Sequence, residues 1–127
     1  MIVTGEVENI LYKDLREFGQ PYKNGTEPTG IVTSERIQII VKDQSKSKYW
    51  NSGFVEVNFL VPNIDGKPNT RRLVEVEKSL SKLEKYGRYN GQAYAYETYS
   101  ITRLEDKELK CWFVNCRILF ESLNTKL

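Results

Sequence analysis

Phe54-Val55-Glu56-Val57-Asn58-Phe59-Leu60-Val61 alternates so that Val55, Val57, Phe59 and Val61 share one face and Phe54, Glu56, Asn58 and Leu60 the other. A period of two with an apolar side reads as a strand that lays one face on a core. A polar aromatic turn precedes it (Lys48-Tyr49-Trp50-Asn51-Ser52-Gly53), and a Pro/Gly break follows it (Pro62-Asn63-Ile64-Asp65-Gly66-Lys67-Pro68). Beyond the break, Leu73, Val76, Leu80 and Leu83 step by three, four and three, the stripe of an amphipathic helix. Asn69 or Thr70 is placed to cap that helix and Gly87 to end it.

Upstream, Ile37, Ile39 and Val41 alternate with Arg36, Gln38 and Ile40, which predicts a strand over residues 35 to 42. The connection at 43 to 53 is too long for a two-residue hairpin, so a flexible excursion is expected between two strands that still pair antiparallel. Downstream, alternation over 92 to 102 predicts a third strand, and Arg103 to Glu108 a polar loop. In the fourth strand Trp112, Val114, Cys116, Ile118 and Phe120 share a face. Its other face is partly apolar through Cys111, Phe113 and Leu119, interrupted by Asn115 and Arg117. At the start of the chain, Val7, Ile10, Leu11, Leu15 and Phe18 predict a helix over residues 5 to 18, with Thr4 as N-cap and Gly19 as a left-handed stop. Gln20 to Ser34, rich in turn formers and containing Tyr22, reads as a long loop or extended arm. The expected fold is α+β: an antiparallel four-stranded sheet with two helices packed on it, in the order α-β-β-α-β-β, forming one domain over 1-127.

Composition agrees with one globular domain. The 127 residues are 39% hydrophobic and 28% charged, which is enough to build a core and excludes a disordered chain. A net charge of +2 falls well short of the dense positive field that DNA rewards. No run reaches the length needed to cross a bilayer and Met1-Ile2-Val3-Thr4-Gly5 does not resemble a secretory signal, so no membrane partner is expected. Cys111 and Cys116, five apart in one strand, fall on opposite faces and are expected to be reduced and mostly buried.

The chain contains no histidine, which removes the commonest general base, the usual triads and most metal sites. The carboxylate pairs Glu75/Glu77, Glu105/Asp106 and Asp14/Glu17 are expected on solvated helix faces or turns. No nucleophile elbow is present, and Gly25, Gly30 and Gly66 do not have phosphate-loop spacing. No catalytic, cofactor-binding or metal-binding residue is therefore assigned, and no enzyme activity is expected. Lys42, Lys46, Lys48, Tyr49 and Trp50 mix cations with stacking surfaces, as single-stranded nucleic-acid sites do. Anchoring of the two aromatics on a sheet or a neighbouring subunit is the simpler account. Tyr86, Tyr89, Tyr94, Tyr96 and Tyr99 suit cross-strand pairs better than a stacking platform. Arg71 and Arg72, in the first turn of the second helix, oppose the helix dipole and would welcome a partner's carboxylate. The candidate interface residues are thus Tyr22, Lys48, Tyr49, Trp50, Arg71 and Arg72.

The cassette Trp50-Asn51-Ser52-Gly53-Phe54-Val55-Glu56-Val57-Asn58-Phe59-Leu60-Val61-Pro62, followed by Asp65-Gly66 and a helix, resembles the small tail-completion or tail-terminator proteins of tailed phages and prophages. The resemblance spans about Glu35 to Phe120 and is one of size, order of elements and strand texture. It implies a structural protein that forms a ring homo-oligomer, commonly a hexamer, at the head-proximal end of the tail tube and docks on other phage structural proteins. The implied location is the virion tail or neck, and the bacterial host cytoplasm during assembly. No catalytic residue carries over, because that family has none. The alternative is a small nucleic-acid-binding module using the basic aromatic loop 42-50, with an enzyme third.

Overall fold

The alternating stretch is the second half of a much longer strand. The computed structural model describes residues 1–126. Its elements are α1 (Thr4–Asp14), continued by a 3-10 turn (Leu15–Glu17), then β1 (Pro21–Lys23), β2 (Arg36–Val41), β3 (Ser45–Lys46), β4 (Trp50–Pro62), α2 (Thr70–Leu80), β5 (Glu84–Tyr89), β6 (Gln92–Asp106) and β7 (Cys111–Lys126). The strands form one mixed sheet of seven, ordered β1-β2-β4-β7-β6-β5 with β3 also on β4, curled into a half-barrel.

This corrects the expected antiparallel four-stranded sheet in the order α-β-β-α-β-β. The four expected strands are present as β2, β4, β6 and β7, and three others were hidden. β1 has three residues and β3 two, too short to show any period. β5 is the edge sequence Glu-Lys-Tyr-Gly-Arg-Tyr, charged and mostly exposed, so it has no apolar face to announce it. Because β1 pairs parallel to β2, the sheet is not antiparallel throughout.

Inward burial follows the alternation closely. Val55, Val57, Phe59 and Val61 of β4, and Val114, Cys116, Ile118 and Phe120 of β7, are at most 2% exposed. Onto this face pack Val7, Ile10, Leu11 and Leu15 from the first helical segment and Leu73, Val76 and Leu80 from α2. A smaller cluster on the other face joins Val32 of the arm to Leu60 and Cys111. The two cysteines therefore sit on opposite faces, both free and buried.

Several local expectations change. Thr4 is the first residue of α1, after an N-cap at Val3, whose N–H donates to the Glu6 carboxylate at 3.1 Å. The helix tightens into the 3-10 turn, so Gly19 is not its left-handed stop. Asn69 caps α2 by accepting from the Arg72 N–H at 3.3 Å. That helix ends at Leu80, so Gly87 does not terminate it but lies inside β5, where a Cβ would come within 2.6 Å of the Tyr94 ring. The polar loop expected from Arg103 begins only after Asp106.

The 43 to 53 connection is not a flexible excursion. β3 pairs with β4 at Ser45↔Ser52 and Lys46↔Asn51, so the β2-β4 hairpin continues past Val41 and closes over Ser47, Lys48 and Tyr49. Ser47 locks the tip: its N–H and hydroxyl both donate to the Trp50 carbonyl, at 2.7 and 2.8 Å. Gly53 is required here, because a Cβ would lie 2.6 Å from the Asp43 carbonyl.

Candidate functional site

Both helices cover the same face of the sheet, leaving much of the other face bare. Register decides what that bare face carries. Directly opposed residues point the same way, so Glu84, Glu97, Leu119 and Phe54 form one row across β5, β6, β7 and β4. The adjacent row is Tyr86, Ala95, Glu121 and Ser52. A bulge between Thr98 and Ser100 turns Tyr99 outward, edge-on to Phe54 at 5.1 Å between ring centroids. The same bulge keeps Thr98 and Ile101 on the covered side, where the Thr98 hydroxyl donates to the Leu80 carbonyl at 2.5 Å.

The bare face is split in charge. Trp50, Tyr86 and Leu119 wall an open cleft of about 240 Å³ that also contains Glu84, Glu97 and Glu121. No cation among the described residues pairs with these three carboxylates. On the other side of Leu119, a shallow depression of about 580 Å³ is lined by Phe54, Lys42, Asp43 and Arg117. The Arg117 guanidinium lies 4.4 Å over the Phe54 ring, with its Nε shut from solvent and unpartnered. Lys42 pairs with Glu56 at 3.5 Å.

The hairpin ends beside this face. Tyr49 is 60% and Trp50 52% exposed, and the Lys48 ammonium sits 5.4 Å over the Tyr49 ring. Of the six candidate interface residues, the structure thus brings Lys48, Tyr49 and Trp50 together. Tyr22 lies partly buried on the edge strand β1. Arg71 is exposed on α2, which covers the opposite face. Arg72 is already committed: it makes a two-point ion pair with Glu35 at 2.7 and 2.9 Å, reaches Glu75 at 3.2 Å and lies over the Phe59 ring. It ties Glu35, between the arm and β2, to α2 and is not free for a partner.

The sequence reading missed Phe54, Tyr99, Arg117 and the three glutamates as members of one surface. The mixed outer face of β7, where Arg117, Leu119 and Glu121 alternate with core residues, is the signal that could have found it. The tyrosines also separate by face. Tyr94 and Tyr96 stack with Phe120 in the core, whereas Tyr86 and Tyr99 are exposed outside.

Of the carboxylates considered for acid-base work, Glu17 and Glu105 are exposed, as expected, and the other four are engaged structurally. Glu77 pairs with Arg103 and Glu75 with Arg72. The Asp106 carboxylate accepts from the Leu109 N–H at 3.0 Å within the β6-β7 turn. Asp14, expected to be solvated, is only 12% exposed at its side chain and accepts from Tyr96 Oη and Lys85 Nζ, each at 2.7 Å. Its hydrogen bond to Lys85 raises that ammonium's pKa. Burial, then the bond to Asp14, pushes the Tyr96 phenol far above its ordinary value.

Among the described residues no helix is long and apolar enough to cross a membrane. No protein-family model matches the chain, and no curated protein matches it. Its fold is similar to that of a solved chain whose serial designation says nothing of function, at 12% identity and TM-score 0.54, covering 100% of this chain and 99% of the other. At that identity the likeness is one of fold alone.

Proposed function

We propose that this chain is a structural assembly protein of a tailed phage or prophage, a tail-completion subunit that forms a ring with its own copies at the head-tail junction. The observation that carries it is the hairpin end, locked at Ser47 and held on β7 by Asn124, where Tyr49 and Trp50 stay largely exposed. A large aromatic side chain at a rigid, exposed tip favours a protein surface that covers it. The arm from Gln20 to Ser34 and the short edge strands offer further contacts at the sheet margins. The phage assignment itself rests on the resemblance of the Trp50 to Pro62 cassette and its following helix. Arg72 is withdrawn from the interface set because its charge is spent within the subunit.

The test is made in the strain that encodes the chain. Tailed particles released on prophage induction should carry it at the neck, seen with gold-labelled antibody, and deletion of its gene should leave heads and tails unjoined. Particles that lack the chain and join normally without it would overturn the assignment. The nucleic-acid reading of loop 42-50 is the weaker one: Lys42 is paired, Lys48 sits over its own neighbour, and three glutamates flank the cleft beside Trp50.

A further inference from the structure

We infer that the bare sheet face packs against the same face of a second copy of this chain across a two-fold axis, setting Arg117 of each copy over Glu97 of the other. This pairing goes beyond the ring contacts at the hairpin tip and does not depend on them.

The inference begins with uncompensated charge. Glu84, Glu97 and Glu121 have no cationic partner among the described residues; Arg117 faces Glu56 across β4 and β7, but that carboxylate pairs with Lys42 and no ion pair to Arg117 forms among the described residues. The guanidinium lies 4.4 Å over the Phe54 ring, so its position is set before any partner arrives. Arginine presented in this way suits a carboxylate in two-point contact. Apolar surface lies between the two charges: Leu119 borders both the acidic cleft and the depression beside Arg117, and Phe54 and Tyr99 pack edge to face next to it. The apolar centre supplies the burial and the charges fix the register.

Symmetry then selects the occupant. A surface with complementary halves side by side on one face satisfies both halves at once against its own copy, residue i meeting j and j meeting i. An axis lying in the face, diagonal to the strands, passing between Arg117 and Glu97 and close to Phe54, achieves this. Phe54 meets its counterpart. The strands of the two copies cross near a right angle, one of the two ways in which sheets pack. A head-to-tail contact cannot use both halves, because they lie on the same side of the subunit.

The experiment is sedimentation equilibrium on the full chain with Arg117→Glu and Glu97→Arg, separately and mixed in equal amounts, each checked for an unchanged thermal melt. Each variant alone should pair at least about tenfold more weakly than the wild type, since like charges now face each other. The mixture should recover wild-type pairing, because the new glutamate meets the new arginine while the native pair re-forms on the other side of the axis. Tyr49→Ala, at the hairpin end but outside both the cleft and the depression, should leave the pairing intact, which separates this contact from the hairpin's. A wild type that shows no pairing, singles that pair as well as wild type, or a mixture that fails to recover would each overturn the inference. Glu97 is exposed and makes no ion pair among the described residues, so Glu97→Arg tests the contact even if Arg117→Glu does not fold.

Discussion

Asp14 accepts from the Tyr96 hydroxyl and the Lys85 ammonium at 2.7 Å each, and so binds the last turn of α1 to β6 and β5. Hydrogen bonds to a charged group carry about 1.5–3 kcal/mol each. Asp14→Asn keeps the shape and loses the charge, so a fall of roughly 1–3 kcal/mol in unfolding free energy is expected from urea titration; an unchanged midpoint would show the contact to be idle. The cysteines set the alkaline behaviour. Burial pushes both Cys111 and Cys116 from 9.0 up to about 11. With the folded value raised above the unfolded one, the thiols' contribution is fully present below pH 9 and is lost as pH rises from about 9 to 11. Tyr96 and Lys85, also raised, add to the loss at higher pH. Urea midpoints measured against pH should therefore decline from about pH 9, and replacing both cysteines by alanine should move the onset upward. Native protein should react slowly with a thiol reagent, and both thiols should titrate once it is unfolded without reductant. The opposite faces of the two cysteines followed from their odd spacing. Asp14's role was hidden, because its partners lie 71 and 82 residues away.

At the scale of elements, what could be read was what repeats. β4, β7 and α2 each show several periods of one pattern, and the buried sets of all three match their stripes. β6 was recognised without its inner face, because the bulge at Thr98/Ser100 breaks the alternation midway. β1, β3 and β5 were not legible: two are too short to repeat, and the third sits at an edge where nothing demands an apolar side. The hairpin was mistaken for an excursion because β2 and β3 pair with the same partner around a distortion at Lys42 to Gln44, which length alone does not show. α2 gives the plainest energetic test. Leu80 is fully buried among strands and helix, so Leu80→Ala should cost about 2–5 kcal/mol by thermal or urea unfolding; a loss under about 1 kcal/mol would mean the helix packs loosely. Gly87→Ala should displace the Tyr94 ring, with a near-ultraviolet dichroism change as its mark, since the Cβ has no room beside it; an unaltered spectrum would place Tyr94 elsewhere.

For the whole molecule, the sheet's two faces divide the labour: one holds both helices and the main core, while the other is left with aromatic rings, unpaired carboxylates and a stacked arginine. Of the six candidate interface residues, Lys48, Tyr49 and Trp50 are adjacent in sequence and stay together in the fold. The rest of the surface is assembled from β4, β5, β6 and β7, and becomes visible only once their register is known. Association is expected through the hairpin tip, with the fold independent of it. Sedimentation velocity on the wild type and Trp50→Ala over a concentration series, with thermal melts on the same samples, tests it most directly. The expected result is a wild type that assembles into larger species as concentration rises, and a Trp50→Ala variant that assembles less while melting at the same temperature. A variant that assembles as the wild type does but melts well below it would place Trp50 in the service of the fold and contradict the claim.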